Sequence, residues 1–185
     1  MINLENLEIT DHHVEELCKF LEGKDMVKRL NLRKNFISNK GATKLSQFIR
    51  TGDSALTHLD LERNYIGDDG GVALLKALSE NYRMISCALK YGNPISDKLG
   101  LTLRREITAN IQALEYERTH KHLDSTARFQ LIDKGPDHMR CAIKMTELRN
   151  IVHLSLPDNM LGLEDARMLS DLLVLNTPLQ KLDLS

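Results

Sequence analysis

The feature that most constrains this chain is that it aligns with itself. VKRLNLRKNFISNKGATKLSQFI, from Val27, and LTHLDLERNYIGDDGGVALLKAL, from Leu56, superimpose without a gap at an offset of 29 residues. The matched positions are Val27/Leu56, Leu30/Leu59, Leu32/Leu61, Asn35/Asn64, Ile37/Ile66, Gly41/Gly70, Leu45/Leu74 and Phe48/Ala77. A third copy, IVHLSLPDNMLGLEDARMLSDLL, starts at Ile151 with Leu154, Leu156, Asn159, Leu161, Ala166, Leu169 and Leu172. A fourth opens 28 residues later with Leu179, Leu182 and Leu184. An abbreviated N-terminal unit carries Leu4, Leu7, Ile9, Val14, Leu17 and Leu21. Self-similarity at such a period predicts stacked supersecondary units. The alternative use of 32 leucines without tryptophan, a coiled coil, needs an unbroken heptad, and Gly, Asn and Pro punctuate this chain throughout.

Each unit can be built from its residues. In L-x-x-L-x-L the last two leucines are two apart, so they share one face of a strand. The Asn that follows is polar at an enclosed position, where its side chain can satisfy backbone groups left open as the strand turns. Beyond Ile37 or Ile66 a Gly-bearing loop gives way to helical spacing: Ala42, Leu45, Phe48/Ile49 in one copy and Val72, Leu75, Ala77/Leu78 in the next. One unit is strand, turn and helix, each with an apolar face that only a neighbouring copy can bury.

The pattern L-x-x-L-x-L-x-x-N-x-I-x-x-x-G-A/V-x-x-L resembles the ribonuclease-inhibitor-like class of leucine-rich repeats, over about residues 1–97 and 136–185. The resemblance implies an α/β fold: a leucine-rich-repeat solenoid, curved as a right-handed βα horseshoe. Its parallel strands would line the concave face and its helices the convex face. It also implies a cytoplasmic protein that binds other proteins. Two alternatives come with it: a GTPase activator, since the Ran GTPase-activating protein belongs to this repeat class, or a structural piece of a larger assembly. No residue here maps onto a motif for GTPase activation.

A single domain over residues 1–185 is expected: an N-terminal repeat at 1–26, regular repeats at 27–55 and 56–84, an irregular repeat at 85–135, a helix plus regular repeat at 136–178, and the start of a truncated repeat at 179–185. In the irregular repeat Asn93 and Ile95 keep the 29-residue offset, but Leu61 maps onto Lys90 and Leu89 is displaced by one, which predicts a bulge in the strand. After Pro94, a cap at Ser96 or Asp97 and an apolar stripe at Leu99, Leu103, Ile107, Ile111 and Leu114 predict a helix running to about Leu123. Phe129 and Leu131 read as a degenerate repeat strand, followed by a helix over His138 to Leu148. The surplus length falls in the first helix, which is expected to project.

Composition then narrows the chemistry. With 25 basic against 26 acidic side chains, the chain lacks the concentrated basic field that nucleic acid or an anionic membrane requires, so neither is expected as a partner. No stretch is long and apolar enough for membrane insertion, and MINLENLEITDHH is no signal peptide. Cys18, Cys87 and Cys141 are odd in number and far apart, which suits buried hydrophobes in a reducing compartment. His12-His13 and His120-x-His122 lack the spacing and companion ligands of a zinc site. Gly67-Asp68-Asp69-Gly70-Gly71 lacks both a P-loop lysine and the frame of a calcium loop, and reads as a helix cap with an acidic first turn. No strained Gly-rich nucleophile elbow occurs. No catalytic residue, metal or cofactor is expected, and the chain is expected not to be an enzyme.

What remains is surface. The positions between the leucines are Glu5, Asn6 and Glu8 in the first unit, Lys28, Arg29, Asn31, Arg33 and Lys34 in the second, and His58, Asp60, Glu62 and Arg63 in the third; His153, Ser155 and Asp158 follow in the later copy. An acidic row lies beside a basic and then a mixed one, with Arg33 opposite Glu62. The expected protein-binding residues on this face are Arg29, Asn31, Arg33, His58, Asp60, Glu62 and Arg63; on the long helix they are Tyr116 and Arg118. The protein partner itself is not legible. The chain ends inside a strand motif at Lys181-Leu182-Asp183-Leu184-Ser185, which suggests a fragment of a longer repeat protein or an open end for self-association.

Overall fold

The computed structural model describes residues 1–50, 54–119, 126–128, 153–156, 162–174 and 179–184, with the side chains of all but 116–119, 126–128, 153, 155, 164 and 172. It forms two compact units, Met1–Asn110 and Ile111–Ser185.

In the first unit strands and helices alternate: β1 (Ile2–Asn3), α1 (Asp11–Leu21), β2 (Arg29–Asn31), α2 (Asn39–Arg50), β3 (His58–Asp60), α3 (Asp68–Glu80), β4 (Ser86–Ala88) and the start of α4 (Asp97–Thr119), whose residues from Ile111 are counted in the second unit. The four strands form one parallel sheet in chain order. Register follows the repeat: Ile2 opposite Leu30, Leu30 opposite Leu59, and Leu59 opposite Cys87. Parallel neighbours need a crossover, and each helix supplies one. Leu30, Leu32, Leu59, Leu61 and Leu89 from the strands meet Val14, Leu21, Leu45, Ile49, Leu74, Leu78, Leu99 and Leu103 from the helices in one core.

Three side-chain ladders tie the copies together. Asn35 Oδ1 accepts the amides of Leu7 and Ile9, both at 3.0 Å, while its Nδ2 donates to Leu4 O and Leu32 O, both at 2.9 Å. Asn64 repeats this on Ile37 N, Leu32 O and Leu61 O, and Asn93 on Ile66 N, Leu61 O and Leu89 O. This is the role expected for the repeat asparagine. A second ladder caps helices: Asp11 Oδ1 accepts Ser38 N and Gly41 N, Asn39 Oδ1 accepts Gly67 N and Gly70 N, and Asp68 Oδ1 accepts Ser96 N. These contacts account for the Gly-Asp-Asp-Gly-Gly run. A Cβ on Gly70 would stand 2.8 Å from both Asn39 Oδ1 and Ile66 Cγ2, so only glycine admits the neighbour's cap there. A third ladder closes the opposite helix ends: Asn81 Nδ2 donates to Ile49 O and Asn110 Nδ2 to Leu78 O and Met84 O.

Several expectations need correction. Leu7 is not an inward lattice position; it stands where later repeats have Asn, and it is 58% exposed because the Asn35 amide already fills the interior beside it. Val72 is exposed and Gly71 takes the inward place, because Leu99 packs where a side chain at position 71 would lie. The strand of the irregular repeat is not bulged. β4 pairs regularly, Leu89 is buried in line with Leu61, and the extra residue sits in the turn, where Gly92 has φ +72°. The α4 stripe also rotates. A strict spacing of four drifts about 40° per step around a helix. Beyond Leu103 the buried line therefore passes through Glu106, Ala109, Asn110 and Ala113, and Ile111 is exposed.

Helix α4 spans 23 residues against 12 in α2 and 13 in α3, so the surplus length lies in it as expected. It stays in repeat register until the cap at Asn110 and continues to Thr119. Ala113, beyond that cap, is fully buried. The part expected to reach Leu123 lies outside the described residues beyond Thr119.

The second unit holds β5 (Thr126–Arg128), β6 (His153–Ser155), α5 (Leu163–Val174) and β7 (Lys181–Asp183), with its strands parallel in the order β5-β6-β7. Leu154, Leu156 and Leu169 are buried, whereas Ala166, in the first turn of α5, is exposed. Phe129 and Leu131, read as a degenerate repeat strand, lie outside the described residues; the strand described just before them is Thr126–Arg128, whose register sets Ala127 opposite Leu154. An alanine at the leucine position left no hydrophobic signal to read. Cys141 and the expected helix over 138–148 lie outside the described residues.

Candidate protein-binding face

Because Leu30, Leu59 and Cys87 turn inward, Arg29, Asn31, His58, Asp60, Ser86 and Ala88 belong to the other face of the sheet. The expected residues of that face are therefore brought together, but several are engaged with one another. Arg33 Nη1 donates to Glu62 Oε2 at 2.5 Å and its Nε lies 3.9 Å from Glu5, while Lys34 Nζ is 3.1 Å from Glu5. The Glu5 carboxyl is held below its ordinary range first by the hydrogen bond from Lys34. Asn31 Oδ1 accepts Arg33 N and Asp60 Oδ1 accepts Glu62 N, both at 3.0 Å, continuing a turn that Asn3 Oδ1 begins on Glu5 N. Asn31 and Asp60 thus shape the turn after the strand, a local role that the repeat alignment did not reveal.

His58 Nδ1 lies 2.8 Å from Thr57 Oγ1, and burial, then the charge of Arg29, pulls its pKa down. Arg29 is exposed, and among the described residues no carboxylate pairs with it. Arg63 is exposed too; its guanidinium carbon sits 5.1 Å from the Tyr91 ring centre, and its Nη2 donates to Tyr91 Oη at 3.3 Å. Tyr116 and Arg118 lie on the backbone of α4, but their side chains fall outside the described residues.

The edge where strands turn into helices holds a feature missed in the sequence. Phe36 and Tyr65 occupy the same repeat position, are 50% and 63% exposed, and stack with ring centres 6.0 Å apart and planes 16° from parallel. Their amides are fixed on Ile9 O and Ile37 O, both at 2.8 Å, and the following Ile37 and Ile66 are fully buried, so both rings point out. Tyr91 is also exposed, at 57%. The signal was present as Lys34-Asn35-Phe36 and Arg63-Asn64-Tyr65 at the repeat spacing: a cation, a buried asparagine and an aromatic.

Among the described residues, both thiols are enclosed and the histidines of α1 make local contacts. Burial pushes the Cys18 thiol up to about 11 and the Cys87 thiol, enclosed although part of its residue reaches solvent, up to about 12, so neither is a nucleophile near neutral pH. His13 Nδ1 accepts the Thr10 amide at 3.1 Å and His12 pairs with Glu16, both local helix contacts. Among the described residues no three His, Cys, Asp or Glu side chains converge as metal ligands, and no helix is long and apolar enough to cross a membrane.

A family model described as Leucine Rich repeat matches residues 26–46 and 54–75, the two copies joined by the Asn35 and Asn64 ladder. The chain carries leucine-rich repeats over these residues. A solved structure named Leiomodin-1 Actin-Binding Site 2 has a similar fold, with a TM-score of 0.51 and 16% identity over 65% of this chain and 85% of that one. No curated protein matches the chain. The leucine-rich repeats account for the parallel strands, the alternating helices and the inward leucines; they leave open what the exposed face holds.

Proposed function

We propose that this leucine-rich repeat protein is a non-catalytic protein-binding module, and that its docking surface is the strand face of the first unit with the aromatic edge beside it. The stacked, half-exposed Phe36–Tyr65 pair carries the proposal. Aromatic residues and Arg are the side chains that interfaces concentrate, and clustered exposed apolar surface marks interaction sites. The chain has only 4 Phe and 4 Tyr, and Phe36, Tyr65 and Tyr91 stand exposed in the turns that follow three consecutive strands. The contribution of Arg29, Arg33, His58 and Glu62 is a polar rim around that apolar centre.

Affinity capture with the full chain tests this. The double variant Phe36→Ser, Tyr65→Ser removes two exposed rings and leaves the core intact, so melting should hold while a captured protein is lost. Actin, which the similar leiomodin-1 structure is named for binding, is the first purified partner to try. Retention of every captured protein by the double variant would refute the assignment.

A further inference from the structure

We propose, resting on the binding face just described, that the partner offers an extended acidic segment with an apolar residue in it. A carboxylate of that segment pairs with Arg63 while the apolar side chain lies on Phe36 and Tyr65.

The two cations that precede the stacked rings are not equivalent. Lys34 and Arg63 both adopt the left-handed conformation, with φ 55°, which turns each outward ahead of its buried asparagine. Lys34 is engaged by Glu5. Arg63 has no carboxylate partner among the described residues, and the neighbouring Glu62 is engaged by Arg33. A guanidinium has five N–H donors in one plane, and Tyr91 takes one of them.

Tyr91 is available because of the extra residue in the third turn. Lys90 Nζ is drawn to Ile95 O and to Asp97, and Gly92 passes so close to Arg63 that a Cβ would lie 3.0 Å from Arg63 Cα. The ring is thus left beneath the guanidinium, which is stacked and oriented before any partner arrives. A planar fork held in this way suits the bidentate geometry of a carboxylate. Glu8 aligns with Phe36 on the β1 side, so the basic end of the aromatic row is the Arg63 end, and Arg29 adds a second open cation on the same face. Two open guanidinium groups beside rings lack the field density that a phosphate backbone or anionic bilayer needs.

The test uses the full chain and three synthetic peptides: Gly-Asp-Glu-Leu-Phe-Glu-Asp-Gly, a version with Lys and Arg for the acids, and one with Asn and Gln. Amide chemical shifts are followed to millimolar peptide. The acidic peptide should move the signals of Phe36, Arg63, Tyr65 and Tyr91, and bind about tenfold more weakly to Arg63→Gln, the cost of one charge-assisted pair. Arg63→Lys should recover only part of this.

Equal binding of the basic or neutral peptide, shifts confined elsewhere, no shift at all, or displacement by phosphatidylserine vesicles at lower concentration would each overturn the proposal. The captured partner separates the two levels. If it is lost with Phe36→Ser, Tyr65→Ser but retained with Arg63→Gln, the binding face stands and the acidic segment falls. If it is retained by both, both fall.

Discussion

At the second corner of the solenoid the Asn64 amide donates to the carbonyl of Leu61, three residues back; at the third, Asn93 donates to that of Leu89, four back. Both amides also reach the preceding repeat, and both accept the amide of the preceding repeat's isoleucine. The ladder therefore tolerates one more residue, provided that the residue lies between strand and asparagine and that glycine closes the loop. What changes is the exterior: the regular corner presents a cation, and the longer one adds a ring under that cation. Conserved backbone hydrogen bonding with a variable loop is how a stacked scaffold acquires surface chemistry without losing its core.

Removing the ladder amide should break the comparison most severely. Asn64 is 4% exposed, and Asn64→Ala strands Ile37 N and two carbonyls in the interior, a loss of about 3 kcal/mol or more at about 1–3 kcal/mol per orphaned group. Asn93 is half-buried and closes a looser loop, so Asn93→Ala should cost about 1–2 kcal/mol as water replaces part of the contact. Urea unfolding monitored by circular dichroism measures both. Equal losses would mean that the two corners are energetically alike despite their different lengths.

The glycines sharpen the same contrast. Gly70→Ala forces a Cβ against Asn39 Oδ1 and Ile66 Cγ2 at 2.8 Å and should cost about 2–3 kcal/mol, within the range for overpacking. Gly92→Ala meets a left-handed backbone and Arg63, and should cost about 1–2 kcal/mol. The diagnostic difference is local: only Gly92→Ala should also shift the Arg63 and Tyr91 side-chain signals.

Charge pairing is the smaller effect. A double-mutant cycle on Arg33 and Glu62, both roughly a quarter exposed, should return about 0.5–1 kcal/mol of coupling, the range for partly screened cross-strand pairs. A coupling near zero would return Arg33 and Glu62 to the pool of groups available to a partner.

The repeat spacing made the strands, the inward leucines and the asparagine ladder readable, because each is an identity that recurs at fixed distance. What escaped had no such identity. An extra residue between Leu89 and Asn93 shifts the third strand off the 29-residue lattice, and Ala127 holds a leucine place with a smaller side chain. Beyond Leu103 the inner face of α4 runs through Glu106, Ala109, Asn110 and Ala113, which hydrophobicity does not mark, with Ile107 packed at its margin and Ile111 exposed. On the outer strand face, polarity between the leucines singles out Asn31 and Asp60, which serve their own turns. The exposed rings of Phe36 and Tyr65 went unremarked because apolar residues in a repeat are first read as core. A match at equivalent positions beside buried isoleucines was the available cue.

The smallest expected effect is a pH dependence that separates the face from the turns. His58 has its pKa pulled below the ordinary 6.5 by burial and by Arg29, so folding disfavours its protonated form. Its contribution is fully present above the unfolded value and is lost as pH falls through the lower folded value. Glu5, Asp68 and Asp97 are also depressed, but from 4.5, 3.8 and 3.8, so their contributions fade only in more acidic solution. Between about pH 7 and about pH 5 the melting temperature should therefore decline through His58 before these carboxylates act. His58→Gln should flatten that decline, and Arg29→Gln should reduce it in part by removing the second cause. A decline unchanged in His58→Gln would place the titrating group elsewhere and leave His58 as a neutral partner of Thr57 across that range.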